Sequence, residues 1–90
     1  MTDMGYYIKL RESGRFNDDQ LEEIHNGIKY GLTKDEISVY AHSKFTAEQM
    51  RELRIGFEMG LFVDQVQSYA NQYYFPYIMA DARYKILHNM

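Results

Sequence analysis

The 90-residue chain has no cysteine, which excludes a disulfide scaffold and any zinc–thiolate site. No apolar run approaches the roughly 20 residues that span a bilayer. The opening stretch MTDMGYYIKLRESGR (1–15) lacks the continuous apolar core of a secretory signal. The expectation is no membrane association and a cytoplasmic address. A basic excess is also missing: 10 Lys and Arg stand against 13 Asp and Glu, interleaved along the chain, for a net charge of −3. That balance argues against a dedicated phosphate-backbone binder. Catalytic signatures are absent as well, with no nucleophile elbow, no phosphate-cradling glycine loop and no paired acidic motif. His25, His42 and His88 are far apart and have no i, i+4 partner of the kind that binds zinc. The composition therefore predicts no metal, no cofactor and no enzymatic activity.

Hydrophobic residues make up 46% of the chain, including nine Tyr and five Phe, enough for one small globular domain. The dominant feature is a repeat. GLTKDEISVYA (31–41) and GLFVDQVQSYA (60–70) stand 29 residues apart, and the correspondence extends to the whole of 16–44 against 45–73. Nine of the 29 aligned positions are identical: Phe16/Phe45, Gln20/Gln49, Glu23/Glu52, Gly27/Gly56, Gly31/Gly60, Leu32/Leu61, Asp35/Asp64, Tyr40/Tyr69 and Ala41/Ala70. Chance gives roughly two, and such a period is the mark of stacked supersecondary units.

Each unit reads as a longer helix, a glycine stop and a shorter helix. Asn17 with Gln20, Thr33 with Glu36 and Thr46 with Gln49 have capping-box spacing. Leu21, Ile24 and Ile28, then Met50, Leu53 and Phe57, form apolar stripes of helical period. Gly31 and Gly60 end the long helices. Gly27 and Gly56, inside helices at matching places, mark close helix–helix approach. A third, partial unit spans 74–90, with Pro76 in the first helical turn and Asn89 at the helix-ending position where Asn is second only to Gly in the left-handed conformation. In this unit Lys85 replaces the internal glycine, consistent with an end helix that has no neighbour on that side. The expected fold is all-α, about five helices in tandem long–short repeats packed as a small array. It forms one domain, divided into an N-terminal segment (1–15), repeat 1 (16–44), repeat 2 (45–73) and a partial repeat 3 (74–90). Ile8 and Leu10 are compatible with the remnant of a preceding short helix, and YYIKL (6–10) with a strand.

The string FTAEQMRELRIG (45–56), followed by Gly-Leu and Val-x-x-Tyr-Ala, resembles a family of short tandem helical repeats found in uncharacterised bacterial proteins, often ones associated with mobile elements. The resemblance covers about 16–90 and implies a repeat module with no catalytic activity to carry over.

Three groups of residues are candidates for function. Ile55, Met59 and Phe62 lie off the Met50/Leu53/Phe57 stripe, where copy one has Asn26, Tyr30 and Thr33. The plainer reading is that the N-terminal segment or the third unit covers them; left uncovered, they would form a partner surface. In NQYYFPY (71–77), Tyr73 and Tyr77 are candidates for the same surface and Tyr74 takes the place of Phe16 and Phe45, a core position between units. His25, Arg54 and Arg83 share one slot in successive copies, a candidate basic ladder for an acidic segment; the plainer reading is a solvated face balanced by neighbouring glutamates. The function expected is a non-catalytic adaptor or scaffold binding another protein, including a second copy of itself. The alternative is a helix-turn-helix nucleic-acid binder using helices 34–41 and 46–59, disfavoured because Glu48, Glu52 and Glu58 accompany Arg51 and Arg54.

Overall fold

A computed structural model describes residues 4–89, and within them the chain is all helical. Six helices follow in order: α1 (Met4–Glu12), α2 (Asp18–Tyr30), α3 (Lys34–Tyr40), α4 (Ala47–Glu58), α5 (Val63–Gln67) and α6 (Pro76–His88). The long helices α2, α4 and α6 begin 29 residues apart, as do the short helices α3 and α5. α1 is the helix beyond the expected five. It occupies the stretch 6–10 that had a strand-like pattern, and a 29-residue shift places its 5–11 on α3.

α2 packs on α4 and α4 on α6, while the short helices α1, α3 and α5 lean against them from one side. The result is an array two helices thick, 39 × 29 × 16 Å across its Cα atoms. Its core lies between the two layers and consists of Ile24, Ile28, Met50, Leu53, Phe57 and Met79 from the long helices, and Ile37, Tyr40, Val66 and Tyr69 from the short ones. α1 contributes the buried Leu10 and is further tied down by Tyr7 against the His25 ring (5.0 Å) and by Lys34 over the Tyr6 ring (5.7 Å).

Helix starts follow the capping chemistry. At Asn17, Thr33 and Thr46 the side chain accepts from the N3 backbone N–H while the N3 side chain accepts from the cap's own N–H. At α5 the cap residue is Phe62, which has no acceptor. Only the return bond from Phe62 N–H to Gln65 remains (2.8 Å), and this helix is five residues long where α3 has seven. Gly31 and Gly60 stop α2 and α4 with φ of 105° and 96°, and the next N–H, from Leu32 or Leu61, reaches back to the carbonyl of Gly27 or Gly56. Asn89 ends α6 differently. Its φ of −103° is right-handed rather than the expected left-handed stop.

Gln20 and Gln49 are the buried polar residues of the core, 7% and 6% exposed. Each amide works in two directions. Its oxygen accepts from the cap N–H of its own helix, 2.9 Å in both copies. Its nitrogen donates forward to two carbonyls of the turn that precedes the next long helix: Ser43 and Phe45 from Gln20 (3.3 and 2.7 Å), Gln72 and Tyr74 from Gln49 (2.9 and 2.8 Å). One side chain thus caps a helix and fixes the position of its neighbour. A glutamate would keep the cap but lose both donor bonds and set a carboxylate against two carbonyl oxygens.

Gln49→Glu and Gln20→Glu should each lower stability by about 2–3 kcal/mol, since a buried charge is left against unsatisfied acceptors. Glu36→Gln, the reverse exchange at an exposed cap with no forward partners, should change stability by less than about 0.5 kcal/mol. Urea unfolding of the three variants measures the contrast, and equal losses would refute the forward role of the amides.

Candidate functional site

Two constellations link successive units from within. The first is a tyrosine seated over a helical glycine. A Cβ built on Gly27 would run into the Tyr40 hydroxyl, and one on Gly56 into the Tyr69 hydroxyl, so glycine is retained here despite its cost of about 1 kcal/mol in a helix. The second is a back-reaching arginine. Arg54 pairs with Glu23 of the preceding long helix (3.1 Å) and with Glu58 on its own, and Arg83 pairs with Glu52 (2.7 Å). The Arg54 side chain is only 13% exposed. Burial works to lower its pKa, but the hydrogen bond and charge of Glu58 and the charge of Glu23 outweigh it, and the net shift is upward. His25, first in that slot, is instead held against Tyr7. The three residues of the candidate basic ladder are therefore engaged inside the array, and two of them carry its inter-unit ion pairs.

The two tyrosines differ in one bond. Tyr40 donates to the Glu23 carbonyl at 2.9 Å. At the corresponding place Arg83 donates to the Glu52 carbonyl at 3.1 Å, and the buried Tyr69 hydroxyl has no hydrogen-bond partner. Burial pushes the Tyr69 pKa up to about 12, with Arg83 pulling it down by less, and burial raises Tyr40 further still.

The outward side of the long-helix layer is the surface on which partners could act. Spacing of three and four residues places five positions of each long helix on it. On α2 these are Asp19, Glu22, Asn26, Lys29 and Tyr30; on α4, Glu48, Arg51, Ile55, Glu58 and Met59; on α6, Tyr77, Ala80, Tyr84, His88 and Leu87, the last half-buried and packed against the core. The face thus changes from polar to apolar along the array. Ile55 is half-buried, whereas Met59, Tyr77 and Tyr84 are 54%, 68% and 60% exposed. At the boundary Tyr30 bridges helices by donating to the Glu58 carbonyl (2.9 Å).

The structure divides the apolar residues singled out in the sequence. Ile55, Met59 and the exposed Phe62 gather where α4 ends. Tyr73 and Tyr77 flank the start of α6, with the Phe75 and Tyr77 rings stacked at 5.8 Å. The N-termini of α4 and α6 are adjacent through Gln49, so the two groups lie at opposite ends of the layer, about 18 Å apart along a twelve-residue helix. Tyr84 and Ala80 bridge them. Sequence reasoning missed these two, although comparing the outward positions unit by unit would have found them. Tyr74, expected in the core, is 37% exposed, whereas Phe45 in the same slot is 1% exposed; nothing among the described residues packs beyond α6.

Among the described residues no group of three or more His, Asp or Glu side chains is placed to hold a metal ion, and no helix is long and apolar enough to cross a membrane. The chain is thus a small all-α helical array. No family model matches it, and no curated protein and no solved structure matches it either.

Tyr69→Phe should be neutral or slightly stabilising because it removes a buried hydroxyl without a partner, whereas Tyr40→Phe should cost about 1 kcal/mol for its lost bond. The raised Tyr69 pKa favours the folded state in full below about pH 10; that contribution is lost as pH rises toward about 12. Thermal melts between pH 8 and 12 should therefore show a falling Tm above pH 10, less steep in Tyr69→Phe. An identical slope in the variant would contradict the assignment.

Proposed function

We propose that this chain is a non-catalytic protein–protein interaction module whose contact surface is the outward face of α4 and α6. The observation that carries the reading is the gradient on that face: α2 presents Asp19, Glu22 and Asn26 where α6 presents Tyr77, Ala80 and Tyr84. α6 also turns Met79, Ala82, Ile86 and Leu87 toward the core. A helix apolar on two opposite faces belongs between two partners, and exposed aromatic residues are the usual anchors of interfaces. The reading accords with the tandem-repeat family that 45–56 resembles and with a cytoplasmic setting.

The arrangement of α3 and α4 weighs against the helix-turn-helix alternative. A reading helix must project from its fold to enter a DNA groove, whereas α4 is flanked by α2 and α6 at the centre of its layer. Its remaining outward residues include Glu48 and Glu58, and its Arg54 is already ion-paired.

The test is capture of partners from source-cell lysate by the tagged chain, at low and high salt and with and without nuclease. A protein retained under all conditions and lost with Ile55→Glu/Met59→Glu, in a variant that keeps its helical circular dichroism, is the expected result. Recovery abolished by nuclease or modest salt would favour nucleic acid instead.

A further inference from the structure

The groove between successive long helices is closed in the first pair and left open in the second. Between α2 and α4, Tyr30 donates to the Glu58 carbonyl (2.9 Å), and Arg54 is held by two carboxylates, Glu23 on one side and Glu58 on the other. Advanced by 29 residues, Tyr30 becomes Met59 and Glu58 becomes Leu87. The α4–α6 groove therefore has neither the phenol nor the second carboxylate, yet it keeps the arginine. Arg83 uses Nη1 on Glu52, reaching the carboxylate at 2.7 Å and the carbonyl at 3.1 Å. Its Nε and Nη2 have no partner among the described residues. Neither is sealed from solvent, because among the described residues the buried side-chain polar atom that lacks a partner is the Tyr69 hydroxyl. The two altered slots, Met59 and Leu87, stand one helical turn from Ile55 and Tyr84 on the outward face.

We propose that the α4–α6 groove binds an acidic–apolar segment of a partner protein. One Asp or Glu carboxylate of that segment accepts from Arg83 Nε and Nη2, as Glu58 accepts from Arg54, and an adjacent apolar side chain rests on Ile55 and Met59. The site belongs to the interaction surface proposed above, on which it rests, and fixes the chemistry of the partner. Nε–H and Nη2–H of a guanidinium form a fork that matches the two oxygens of a carboxylate. The Arg83 side chain is only 16% exposed, so a wholly apolar segment laid over the groove would strip water from both donors and return nothing to them. A carboxylate meets them, which makes the charge a condition of binding rather than an addition to it.

The test is selection of short random peptides displayed on phage against the immobilised chain. Selected peptides should share an Asp or Glu beside an apolar residue. In fluorescence anisotropy, changing that acid to its amide should weaken binding at least about tenfold, a comparison that leaves the protein untouched. Met59→Tyr/Leu87→Glu, which writes the closure of the first groove into the second, should weaken the acidic peptide as much while helical circular dichroism is retained. The Arg83 Nε–H resonance should shift with the acidic peptide and stay in place with its amide form. Peptides with no shared acid, binding that survives the change to the amide, or an unmoved Arg83 resonance overturns the proposal. If the peptides are nevertheless lost with Ile55→Glu/Met59→Glu, only the carboxylate assignment fails; if no selected peptide depends on Ile55 and Met59, the interaction surface fails with it.

Discussion

The array depends on a primary amide used twice. At Gln20 and again at Gln49, one carboxamide completes the cap of its own helix and holds two carbonyls of the turn that launches the next. Hydrophobic burial alone would let neighbouring helices slide, because it has no direction. A buried donor between two acceptors tolerates almost no shift, since every lost bond leaves a desolvated polar group. α6 has Ile78 in that slot and no turn beyond it among the described residues to hold.

Around that lock the other inter-unit contacts are arranged by the same 29-residue shift. The glycine–tyrosine seats set the depth at which each short helix lies on its long partner, and the arginine–glutamate pairs set the pitch between long helices. The copies are not equivalent. Arg83 occupies the carbonyl that would otherwise receive the Tyr69 hydroxyl, so the second seat relies on packing where the first also has a hydrogen bond. The second short helix is weaker for a further reason: its cap is a phenylalanine.

Specialisation is confined to the surfaces that packing leaves free. Core positions must satisfy the neighbouring unit and therefore repeat. Outward positions answer to no neighbour, and there the units diverge, from charged on α2 to aromatic on α6. A repeated scaffold that carries an unrepeated face can present a binding surface while each unit keeps the contacts that stack it.

The sequence by itself determined the helical class, the period, the caps of α2, α3 and α4 and the glycine stops, because each follows from chemistry within a few residues. It also marked Gly27 and Gly56 as points of close approach without naming the tyrosines that approach them. It was ambiguous at 6–10, where a short segment satisfies strand and helix patterns alike and only packing of Leu10 against α2 settles on helix. It was misleading at His25, Arg54 and Arg83, where equal spacing suggested a surface ladder but tertiary contacts draw the arginines onto glutamates 31 residues distant. The candidate surface was half legible. Ile55 and Met59 stood out against the first unit, but their distance from Tyr73 and Tyr77, and the bridge made by Tyr84, follow only from the side-by-side alignment of α4 and α6. Local capping and periodicity act over one or two helical turns and can be read in order. Which carbonyl a glutamine amide reaches, and which face is left uncovered, depend on helices folding against one another, and only the tertiary structure decided them.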